Sequence, residues 1–108
     1  MSLNADFQGG LSKIAPTAAD TYEGKAEVYI TFSFDSFPSD FGDDEPAHEI
    51  CLVSVHLFAP VGKNVLTKRK AVKKAIFKLT GAWPSETNAS DKDGQHLVYE
   101  CELARGVE

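Results

Sequence analysis

Hydrophobic and polar positions alternate strictly from Ala26 to Phe34. Ala26, Val28, Ile30, Phe32 and Phe34 fall on one side, and Glu27, Tyr29, Thr31 and Ser33 on the other. A period of two, carried by β-branched and aromatic residues, predicts a half-buried strand. A second strand is predicted over His48 to Ala59. Its Cys51, Val53, Val55 and Leu57 share one side, while Ile50, Leu52, Ser54, His56 and Phe58 occupy the other. A strand apolar on both sides is expected to be covered on both, the second cover being another part of the chain or a second subunit. Alternation returns from Gln95 to Leu103, where Leu97, Tyr99, Cys101 and Leu103 oppose His96, Val98, Glu100 and Glu102. This is the last predicted strand. Ala104 to Glu108 is expected to fray.

The period changes between the second and third strands. With Asn64 as N-cap and Gly81 as stop, the spacing predicts a helix to about Thr80. At 100° per residue, Val65, Val72, Ala75, Ile76 and Leu79 form one stripe, which is expected to face the core. Leu66 and Phe77 project elsewhere. Lys70, Lys73, Lys74 and Lys78 fill the remaining surface, with Lys68 and Arg69 beside the core stripe. A short extended piece over Trp83 to Thr87 is placed to pair with the sheet.

Two stretches show no period. Residues 1–21 are interrupted by Gly9-Gly10 and Pro16 and are read as an irregular N-terminal segment. Residues 22–104 are read as a single domain. Asp35 to Pro46 contains two prolines, one glycine and five acidic residues, and is expected to be a long loop with apolar points at Phe37 and Phe41. The order is then strand, acidic loop, strand, basic helix, turn, strand. It predicts an α+β fold: a small antiparallel or mixed sheet packed against one main helix.

Composition narrows the function classes. The 108 residues are 43% hydrophobic and 25% charged, which is ordinary for a globular domain and argues against disorder or a coiled coil. No apolar run reaches the roughly 20 residues a membrane helix needs, and Met1 to Gly10 lacks the plan of a secretory signal. Cys51 and Cys101 belong to no CxxC pair, so no zinc site is expected, and they are read as two small buried thiols in a reducing compartment. Asp40, Asp43, Asp44 and Glu45 are hard oxygen donors, but their spacing fits no EF-hand. No nucleophile elbow and no phosphate-binding loop is present. The expectation is a protein without catalytic residues, metal or cofactor.

Charge distribution is the informative feature. Net charge is -5, yet six of the eleven cations lie between Lys68 and Lys78. A solvated face is one reading of that run. A nucleic-acid-associated module gripping phosphates with residues 65–80 is a second. A third is docking on an acidic surface, and the chain carries one in residues 35–45. Loop and helix on neighbouring copies would be complementary, and a contact between unlike faces repeats head to tail and can close into a ring. Asp40, Asp43, Asp44 and Glu45 would form one side. Lys70, Lys73, Lys74 and Lys78, with Leu66 and Phe77, would form the other.

Several stretches in series also carry a resemblance. They are Tyr22-Glu23-Gly24, a strand ending Phe32-Ser33-Phe34, Asp43-Asp44-Glu45, the strand Val53 to Pro60, the basic helix closed by Gly81, and Asp91-Lys92-Asp93-Gly94-Gln95-His96 followed by Val98-Tyr99-Glu100-Cys101-Glu102. From about Tyr22 to Leu103 the chain resembles the small tail-completion proteins (tail terminators or minor tail proteins) of long-tailed bacteriophages and prophages. The resemblance implies a homo-oligomeric ring at the head-proximal end of the tail, contacting tail-tube and head-connector proteins. Its nucleic acid would be only the DNA passing through the tube. Its locations would be the bacterial cytoplasm during assembly and then the virion tail. The family carries a helix before the first strand, and residues 1–21 do not predict one here.

Overall fold

The structure, a computed structural model, describes residues 3–41 and 46–106. Its elements are α1 (Leu3–Ser12), β1 (Thr17–Ala19), β2 (Tyr29–Phe41), β3 (Pro46–Ala59), α2 (Leu66–Thr80), β4 (Ser85–Asn88) and β5 (Gln95–Gly106). The five strands form one sheet in the order β1-β2-β3-β5-β4. β1 runs parallel to β2 and the other pairs are antiparallel, so the sheet is mixed. Both helices pack on one face. Phe7 and Leu11 of α1 and Val72 and Ile76 of α2 share a buried cluster with Ile30, Phe32, Val53, Val55, Leu57, Leu97 and Tyr99. The protein is α+β, as its periodicities predict.

The N-terminal segment departs from expectation. It is not irregular: residues 3–12 are helical, so α2 is not the only helix, and the domain does not begin at residue 22. Phe7 and Leu11, one turn apart, are both fully buried. Phe7 meets Phe34 edge-on at 5.1 Å between ring centres and Phe32 at 5.9 Å. Each helical glycine costs about 1 kcal/mol relative to alanine, and two adjacent ones obscure the pattern in the sequence. Gly10 has a structural reason, since a Cβ there would come within 3.2 Å of Leu79 Cδ1 on α2. Gln8 Nε2 then donates to the Thr17 carbonyl (2.6 Å), tying α1 to β1.

The acidic stretch also departs from expectation. β2 begins at Tyr29, three residues after the alternation starts, and continues to Phe41, with Asp35 to Phe41 laddered onto Pro46 to Leu52. Most of the predicted loop is therefore strand, and Asp43, Asp44 and Glu45 lie outside the described residues. Backbone pairing to β3, itself paired to β5, outweighs a composition poor in strand formers. Pro38 is tolerated because β1 covers only Ile30 to Phe32, leaving the rest of β2 an edge, where a missing N–H costs no ladder bond. The C-terminus behaves similarly. The predicted frayed tail pairs through Gly106, which lies opposite His48.

α2 matches its predicted stripe: Val65, Val72 and Ile76 are buried, and Ala75 and Leu79 are half-buried. The helix starts one residue later than predicted, and Asn64 Oδ1 accepts from the Leu66 N–H (3.1 Å). It stops at Gly81, whose φ of 78° suits a residue without a Cβ. The expected piece after Trp83 pairs with β5 as β4. Among the described residues, the second face of β3 carries no helix. Leu52, His56 and Phe58 remain half-buried there.

Candidate subunit-contact surfaces

Helical geometry sorts five of the six cations of α2 into three groups, Lys68 standing apart from them. Successive residues turn by 100°, so Leu66, Lys70, Lys73 and Phe77 form one outward stripe. Leu66 is 59% exposed and Phe77 46%. Phe77 leans on the exposed Trp83, with 5.7 Å between ring centres. Lys74 and Lys78, both exposed, turn toward α1. Arg69 turns the other way and leaves the surface set.

Arg69 belongs to an internal network that periodicity does not reveal. Its Nε and Nη2 donate to Glu86 Oε2 and Oε1 at 3.1 and 2.8 Å, and the Tyr99 hydroxyl donates to Glu86 Oε2 at 2.6 Å. Bonds from Arg69 hold the Glu86 carboxyl down at about 2, against 4.5 ordinarily, with Tyr99 adding to the effect against the cost of burial. Burial and the bond to Glu86 push the Tyr99 hydroxyl upward, so it stays protonated. The only signal of this network is register: Glu86 pairs with Tyr99 across β4 and β5, while Arg69 reaches across from α2.

The acidic side is only partly visible. Asp40 lies in β2, and Asp43, Asp44 and Glu45 lie outside the described residues. Phe41 and Pro46, which bracket them, are paired at the far end of the β2–β3 arm. That end is about 35 Å along the strand from Ile30, at roughly 3.3 Å per residue. The molecule is correspondingly long, 53 × 25 × 23 Å. Acidity extends onto the helix-free face of the sheet through Asp35, Glu100 and Glu102. Asp35 and Glu102 flank Leu52 across the three central strands. The two faces of the sheet thus differ in sign: lysines cover the helix side, and carboxylates the open side.

The open face also carries an aromatic ladder that no local pattern predicts. Tyr22, Tyr29, Phe58 and His96 stack in sequence with ring centres 4.5, 4.8 and 4.3 Å apart. His96 Nε2 and His56 Nδ1 share a hydrogen bond at 2.7 Å. Beside the ladder lies an open cleft of about 460 Å³ edged by Glu27, Asp91 and Asp93. Burial, and then the neighbouring His96, depress the His56 pKa below its ordinary 6.5, with Glu100 partly opposing. A depressed histidine binds its proton more readily in the unfolded chain, so stability should fall as pH drops below about 6.5. His56→Leu should lose less stability than the parent between pH 7.5 and 5 in thermal unfolding. An equal loss in both proteins would remove His56 as the cause.

Cys51 is buried and Cys101 half-buried, neither is joined in a disulfide, and burial pushes the Cys101 thiol upward, away from reactivity. Among the described residues, no group of three or more His, Cys, Asp or Glu is placed to hold a metal ion. No helix among them is long and apolar enough to cross a membrane.

Fold and surfaces together define a class: an elongated α+β protein with a mixed five-stranded sheet, helices on one face, and a long arm in which β2, β3 and β5 run on together past the helices. No protein-family model and no curated protein matches the chain. A solved structure is similar to it, with a TM-score of 0.64, 12% sequence identity, and coverage of 98% of this chain and 94% of the other. At that identity the likeness is one of fold.

Proposed function

We propose that this protein is a structural tail-completion protein of a long-tailed bacteriophage or prophage. In this reading it self-associates as a ring at the head-proximal end of the tail and joins the tail to the head connector. It acts by contact, without catalysis or cofactor. Beyond the resemblance in sequence, one observation carries the reading: the basic helix packs over the part of the sheet that holds Ile30, Val53 and Leu97, whereas Phe41 and Pro46, which bracket the acidic run in sequence, pair at the far end of β2 and β3. Leu66 and Phe77, exposed among the lysines, supply apolar area for a subunit seam. An exposed charge pair contributes less than about 1 kcal/mol, so the apolar area and the repetition of contacts around a ring must supply most of the affinity.

The competing reading, a nucleic-acid module using residues 65–80, shares the lysines but not the carboxylates of the open face, which would repel phosphate. A salt titration separates the two. As a ring protein it should sediment as an oligomer and bind little duplex DNA at ~0.15 M salt. Replacing Asp43, Asp44 and Glu45 by lysine should weaken self-association and tail joining together. Unchanged oligomer mass with normal tail completion in that variant would refute the seam. Tight, salt-sensitive DNA binding by a monomer would favour the competitor.

A further inference from the structure

The geometry points to the groove between α1 and α2 as the seat of a second copy's arm, residues 35–46. The inference rests on the self-association reading and names the two surfaces that meet. The groove has a volume of about 340 Å³ and is lined by Gly10, Ala71, Ala75 and Leu79 with Lys13, Lys74 and Lys78. Its floor is apolar and made largely of small residues, leaving room for a bulky ring. All three lysines are exposed, and among the described residues no carboxylate lines the groove. An occupant complementary to it is an acidic segment carrying large apolar anchors. Helix grooves take such anchors in their apolar floor, and rim charges select among partners.

Residues 35–46 have that chemistry. Phe37 and Phe41 stand among Asp35, Asp40, Asp43, Asp44 and Glu45, with no cation in the stretch. The arm cannot serve its own groove. Both helices pack over the stretch of sheet from Ile30, Leu57 and Leu97 to Phe34 and Val53, whereas the Phe41–Pro46 pair lies some seven residues further along β2, roughly 23 Å at about 3.3 Å per residue. The contact therefore joins different copies, arm to groove. Such a contact is heterologous, so every subunit gives one arm and receives one, and the chain of subunits closes or runs on. It also gives α1 a part in assembly that its sequence does not announce, because α1 and the residue just beyond it contribute Gly10 and Lys13 to the groove.

The test uses two full-length variants, Lys13→Glu/Lys74→Glu/Lys78→Glu and Asp40→Lys/Asp43→Lys/Asp44→Lys, each checked for parental circular dichroism and then sedimented. Each variant alone should lose roughly tenfold or more in self-affinity. An equimolar mixture should regain assembly with the two alternating, because each arm then meets a groove of opposite sign. Ala71→Tyr, which fills the floor without changing charge, should also weaken assembly. Parental assembly by either charge variant, or a mixture no better than its parts, overturns the arm-in-groove contact while leaving self-association intact. The contact is equally overturned if the Lys→Glu variant assembles normally but fails only to join another tail protein. A parent protein that stays monomeric overturns self-association itself, and this contact with it.

Discussion

Phe7→Ala should destabilise the protein by about 3–5 kcal/mol, the range for deleting a buried aromatic side chain from a packed core. Phe7 is fully buried and touches Phe32 and Phe34 of β2, so truncation opens a cavity between α1 and the sheet. Domains of this size are stable by about 5–15 kcal/mol in total. The variant should therefore melt roughly 12 °C or more below the parent, at about 4–8 °C per kcal/mol. Lys13→Ala, at an exposed position just beyond the same helix, should stay within about 0.5 kcal/mol. Thermal and urea unfolding check both. A Phe7→Ala loss as small as that of Lys13→Ala would mean that α1 is not docked, and the α1–α2 groove would go with it.

Glu86→Gln should cost roughly 2–3 kcal/mol at pH 7, and that cost should vanish in acid. The carboxyl is held near 2 instead of 4.5, chiefly by Arg69. Converted at about 1.4 kcal/mol per pH unit, the shift sets an upper bound of about 3.5 kcal/mol. Glu86 and Arg69 are 22% and 28% exposed, so water weakens the pair somewhat. The sign follows from the depression: an acid held below its unfolded value stabilises above pH 4.5, and the stabilisation is lost as pH falls toward 2. Denaturant curves for parent and variant should thus be separated at pH 7 and converge near pH 2. A constant separation across that range would assign the effect to packing instead of charge. The amide of Gln still accepts a hydrogen bond from Tyr99, so the experiment isolates the ionic part.

These two sites differ in how the sequence presents them. Glu86 falls in the predicted extended piece after Trp83, yet nothing in its local pattern distinguishes it from the chain's exposed acids. Its role comes from facing Tyr99 across β4–β5 while Arg69 arrives from α2. Phe7 falls in a segment whose pattern reads as irregular, because two anchors one turn apart beside two glycines make too weak a periodic signal. Leu66 and Phe77 illustrate the other case. Their angular offset from the Val72–Ile76 stripe is enough to place them outside the core, where they lie. Lys70, Lys74 and Lys78 follow the same rule, and all three are exposed. Arg69 does not, since an angle on a helix says nothing of which neighbour packs beside it.

Period and end signals alone determined the three long strands, the second helix with its Gly81 stop, the buried face of each, and the separation of a basic helix from an acidic stretch. Each is a property of neighbours within a few residues, where backbone geometry ties spacing to direction. The tertiary structure decided that residues 3–12 are helical, that the acidic stretch is mostly a paired arm, that His56 meets His96, and that Glu86 sits between Arg69 and Tyr99. Each of these depends on groups far apart in sequence, whose contact offsets a local preference that pointed elsewhere.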